Sequence, residues 1–87
     1  MSLGPKLIEK LNKVYPPDTR QDTHYNGKDL TFITNERGEP VTLFIGKRNE
    51  DGSIAGERYV RTIVRDQKTD KVQRSHWDLK GKVSRSN

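Results

Sequence analysis

From residue 29 onward the chain alternates apolar and polar side chains with a period of two, and each alternating run stops at a short cluster of turn-forming residues. Period two is the repeat of a β-strand, whose successive side chains point to opposite faces. Leu30, Phe32 and Thr34 alternate with Thr31 and Ile33, and Asn35-Glu36-Arg37-Gly38 ends the run. Pro40 opens the second run, where a missing N–H costs no ladder hydrogen bond. There Val41, Leu43 and Ile45 alternate with Thr42, Phe44 and Gly46. A glycine inside such a run signals a bulge or a close backbone approach. Asn49-Glu50-Asp51-Gly52 is the next turn, and a short irregular piece follows. Residues 57–66 and 71–79 form the third and fourth runs, separated by Gln67-Lys68-Thr69-Asp70. Sequential strands joined by tight turns pair antiparallel. The expected architecture is therefore mainly β: a four-strand antiparallel meander, either an open sheet or curled into a small SH3-like barrel.

Such a sheet needs a cover for one face. Leu3, Leu7, Ile8, Leu11 and Val14 recur at helical spacing, which predicts one short N-terminal helix over about 5–15. Pro5 suits its first turn and Pro16-Pro17 stops it. Residues 16–28 are polar and aperiodic, so a loop is expected there, carrying His24 and Tyr25. Residues 81–87 read as a flexible basic tail. The whole chain, 1–87, then makes a single small domain: helix, loop, β meander over about 29–80, and tail. Its 87 residues fit one core. Leu, Ile, Val and Phe make up only about 22% of them, so that core must be thin.

Several classes of chemistry are excluded. The chain has no cysteine, and hence no disulfide, thiolate metal site or cysteine nucleophile. With no apolar run of signal-peptide or membrane-spanning length, the expectation is a cytoplasmic protein with no membrane partner. Two histidines are too few for a metal site without supporting ligands. Asn49-Glu50-Asp51-Gly52 superficially suggests a calcium loop, but Lys47 and Arg58 stand where an EF-hand needs carboxylates. No phosphate-loop spacing and no Gly-x-Ser-x-Gly elbow occurs. We therefore expect no catalytic residues, no metal, no cofactor and no enzyme activity.

Charge is the positive signal. The net charge of +5 is uneven: residues 57–87 hold nine Lys and Arg against four Asp and Glu, whereas residues 29–56 hold three against five. A basic surface favours an anionic partner. On the third strand Arg58, Val60, Thr62 and Val64 share one face, read here as the core face. Tyr59, Arg61 and Arg65 share the other with Glu57 and Ile63. On the fourth, Val72, Arg74, His76 and Asp78 lie on one face and Lys71, Gln73, Ser75, Trp77 and Leu79 on the other. Guanidinium groups interleaved with rings are what single-stranded nucleic acid uses, one contacting phosphate and the other stacking on a base. The candidate nucleic-acid-binding residues are thus Tyr59, Arg61, Arg65, Arg74 and Lys71, with Lys80, Lys82 and Arg85 adding phosphate contacts or merely solvating the end. The competing reading makes Tyr59 and Trp77 core rings and pairs the arginines with Glu57, Asp66 or Asp78. Function then divides between a small basic module for nucleic acid and a protein-interaction or scaffold module using a sheet edge or an SH3-like groove. The alternation alone fixes neither strand register nor oligomeric state.

Overall fold

A computed structural model describes residues 3–84. It contains one helix, α1 (Pro5–Leu11), and five strands: β1 (Arg20–Tyr25), β2 (Lys28–Thr34), β3 (Pro40–Arg48), β4 (Ile54–Arg65) and β5 (Val72–Val83). The strands form one open antiparallel sheet in chain order, with β1 and β5 at its edges. Among the described residues no helix is long and apolar enough to cross a membrane.

The meander therefore has five strands rather than four. The extra one, β1, lies in the stretch expected to be a loop. An edge strand needs no apolar run, and here Gln21, Thr23 and Tyr25 are half-buried while Arg20, Asp22 and His24 face solvent. Asn26 and Gly27, with φ of 51° and 81°, make the two-residue turn into β2. Two further bounds shift. The helix stops at Leu11, and Val14 is 72% exposed. Beyond it the Tyr15 N–H donates to the Gly38 carbonyl (2.8 Å), drawing the chain across the β2–β3 turn before Pro16-Pro17. At the other end β5 runs through Gly81 to Val83, so the tail expected from residue 81 begins as strand, while Arg85 lies outside the described residues.

The core is the α1-covered face, where Leu7 and Leu11 pack on Leu30, Phe32, Leu43 and Tyr59. Tyr15 closes one side, its ring 4.8 Å from that of Phe32. The register explains the choice of face. Leu43 pairs with Phe32 on one side and Tyr59 on the other, and Tyr59 pairs with Leu79. The face of β4 read from sequence as core is thus the outer one: Thr62 is exposed and Val64 is 44% exposed. Three β-branched side chains lose to one tyrosine because only the tyrosine's face continues the Phe32–Leu43 row beneath the helix.

Gly46 sits directly opposite Gly56. A Cβ on Gly46 would lie 2.1 Å from the Ala55 carbonyl oxygen. The close approach expected at this glycine is present, and it needs two glycines rather than one. On the outer face, Arg48 donates to Thr31 Oγ1 (3.0 Å), the Leu30 carbonyl (2.9 Å) and the Gly52 carbonyl (2.8 Å), and Arg20 donates to the same Gly52 carbonyl (2.6 Å). These bonds fold the β3–β4 turn back onto β1 and β2.

Candidate binding surface

Four of the five candidate side chains come from β4 and β5, but the structure does not bring the five together. Tyr59 is 3% exposed and belongs to the core, so its ring offers no face to a base. Arg61 lies on the helix-covered face opposite Trp77, with its guanidinium carbon 5.9 Å from the indole centroid. Its Nε donates to Ser75 Oγ (2.6 Å). Its terminal nitrogens donate to the Pro40 carbonyl (3.2 Å), the Leu11 carbonyl (3.4 Å) and Asn12 Oδ1 (3.2 Å). Leu11 ends α1 and Asn12 caps it. A cation here meets unsatisfied carbonyls at the negative end of the helix. Partial burial depresses the Arg61 pKa, with the nearby Glu39 charge opposing that shift. Arg61 is thereby a clamp between helix and sheet.

Arg65 is also engaged. It pairs with Glu39, which precedes β3, and donates to the Asp70 carbonyl (3.0 Å). The expected partners Glu57, Asp66 and Asp78 take neither arginine among the described residues. Asp66 instead accepts from the Lys68 and Thr69 N–H groups of its own turn, and Asp78 Oδ1 accepts from the His76 ring Nε2 at 2.7 Å. Glu39 carries no periodic signal that would mark it as a partner, because it lies in the turn before β3, outside the β4–β5 hairpin. Lys71 is exposed at the hairpin turn, and Arg74 is exposed on the face opposite Arg61. Trp77 is half-buried against the core, and its Nε1 is buried with no hydrogen-bond partner among the described residues.

The Glu39 pair sets a pH response. Burial raises the Glu39 carboxyl, but hydrogen bonds from Arg65 and Asn35 and the charges of Arg65 and Arg61 outweigh it, and the net direction is downward. Asp22 is lowered in the same way, burial being overcome by Thr31, Arg20 and Arg48. A carboxyl depressed in the folded state stabilises above its unfolded pKa, and that contribution disappears as pH falls through the folded value. Urea midpoints should therefore hold from neutrality to about pH 5 and decline below about pH 4. Glu39→Gln should start lower at neutrality and decline less steeply on acidification. Parallel pH profiles for the two proteins would exclude Glu39 as a contributor.

Sequence reasoning missed part of the charge. Arg58 falls on the outer face rather than the core, and Lys82 falls in β5 rather than in a tail. Among the described residues no carboxylate forms an ion pair with Arg58, Lys71, Arg74, Lys80 or Lys82, whereas Arg20, Arg37, Arg48 and Arg65 all have one. Between α1 and β5 runs an open cleft of about 370 Å³ whose lining includes Ile8, Asn12, His76, Trp77 and Leu79. No group of three or more His, Asp or Glu side chains among the described residues is placed to hold a metal ion. No known protein family matches the chain, and neither a curated protein nor a solved structure shows significant similarity to it.

Proposed function

We propose that this protein is a non-catalytic module that binds nucleic acid through its phosphates along the β4–β5 hairpin. The observation that carries this reading is the set of cations there that have no carboxylate partner among the described residues: Arg58, Lys71, Arg74, Lys80 and Lys82, spread over two twelve-residue strands and their turn. Tyr59 and Arg61 are committed to the fold, so recognition would rest on charge rather than base stacking and would tolerate any sequence.

Fluorescence titration with labelled single- and double-stranded oligonucleotides tests it. Four phosphate contacts give a slope of roughly −3 in log K against log salt, or about a hundredfold loss between 50 and 200 mM. Lys71→Ala with Arg74→Ala should flatten the slope by about 1.5, because each cation releases close to one counterion. Arg61→Ala should not change the slope in whatever fraction remains folded. Absence of binding at 50 mM salt would remove the reading. A second reading, a protein partner at the sheet edge, is favoured by the length of β5 and the apolar cleft beside it.

A further inference from the structure

The two sheet edges differ. β1 has six residues, and its charges are already engaged: Arg20 with Asp22 at 3.0 Å, and Asp22 with Thr31 Oγ1 at 2.7 Å and Arg48 at 3.4 Å. β5 has twelve residues. Its pairing with β4 shifts register twice, and each shift places the surplus residue on β5: Gln73 between the Val64–Arg74 and Arg65–Val72 pairs, Lys80 between Tyr59–Leu79 and Arg58–Gly81. Bulges and lysines are how natural sheets blunt an edge against further pairing. Here they bracket a regular window, residues 74–79, that neither device interrupts. Within it Arg74 has no carboxylate partner among the described residues, and Asp78 is paired only with the exposed His76.

We propose that β5 pairs antiparallel with β5 of a second copy about a two-fold axis passing between His76 and its own symmetry mate. Antiparallel edges related by a two-fold axis require that axis to stand perpendicular to the sheet, because opposed residues must point to the same side. The axis then passes between one residue and its own symmetry mate, and every residue faces one of its own parity. About His76, Arg74 of each copy stands opposite Asp78 of the other, so one opposite-charge pair is used twice, and Ser75 meets Trp77. About Trp77, Asp78 would face His76, with which it already pairs within its own chain, and Arg74 would stand opposite Lys80, a like-charge contact. About Ser75, Asp78 would stand opposite Val72 and lose its complement. Charge complementarity thus selects the His76 register. Pairing makes one ten-stranded sheet with both helices on the same face. The two clefts then flank the seam, next to Leu79, which is 43% exposed in the single chain. The seam is short, so the association is weak.

This inference stands apart from the nucleic-acid reading and is tested with nuclease-treated protein. Sedimentation equilibrium over about 10 µM to 1 mM, the range in which small interfaces associate, should show a monomer–dimer equilibrium. Arg74→Asp and Asp78→Arg should each weaken it by about tenfold or more, since each puts like charges opposite one another twice. The double variant R74D/D78R should restore it. A second measurement does not depend on those variants folding well. His76→Cys places the only thiol of the chain facing its symmetry mate across the axis and should form a disulfide-linked dimer under mild oxidation, faster than Val64→Cys on the neighbouring strand. A monomer throughout, a dimer indifferent to the charge swap, or equal cross-linking of the two cysteine variants would overturn the proposal.

Discussion

Replacing Arg61 with Ala should lower stability by roughly 2–3 kcal/mol, read as a fall in the urea midpoint. Hydrogen bonds from a charged donor contribute about 1.5–3 kcal/mol, and the guanidinium's partial exposure discounts the sum of its four. The loss is large because it is not local. Arg61 connects the end of α1, the start of β3 and β5, through Leu11, Asn12, Pro40 and Ser75. Removing it leaves the helix-terminal carbonyl without its cation and the Trp77 face uncovered. A seven-residue helix cannot persist without docking, so its release would strip Leu7 and Leu11 from the core. Arg61→Lys should recover less than half of the loss, because one ammonium cannot span acceptors arranged for a planar fork. A variant within about 0.5 kcal/mol of the parent protein, the usual range of surface changes, would contradict the clamp.

Gly56→Ala should be about as damaging, at about 3 kcal/mol, by an unrelated route. The new methyl would lie 2.0 Å from the Ile45 carbonyl oxygen and 2.8 Å from Gly46 Cα, both backbone atoms with no rotamer to escape into. Forcing atoms into a packed site costs about 1–3 kcal/mol when side chains can yield, and here β3 and β4 must themselves separate. Gly4→Ala is the control, since nothing lies within 4 Å of its added Cβ. Equal urea midpoints for the two alanine variants would show that the strands part at no cost.

The meander, its turns and the covering helix were legible because each rests on local patterning. Runs of period two, turn clusters and helical spacing are all carried by neighbouring residues. β1 was not legible because an edge strand with one neighbour and a polar outer face needs little apolar signal. Its Asn26-Gly27 turn was the available clue. The candidate surface was legible only as a charge excess. Which arginines are free depends on partners distant in sequence: Glu39 for Arg65, Leu11 and Asn12 for Arg61. Parity correctly grouped Tyr59, Arg61 and Arg65 on one face, but parity cannot say which face the helix covers. That choice is made by Phe32 and Leu43, two strands away.

The strand order has a kinetic meaning. Every strand pairs only with its sequence neighbours, so the sheet can zip hairpin by hairpin, each closure spanning a short loop. The helix is the exception. Its terminal carbonyl meets Arg61 across 50 residues, and the β4 part of its docking surface is in place only once β4 has paired with β3. The helix thus depends for its docking on contacts far along the chain from it. Until β2, β3 and β4 are paired, Leu7 and Leu11 lack their complete partner surface and the sheet's apolar face stands open, which makes helix docking the step that covers it.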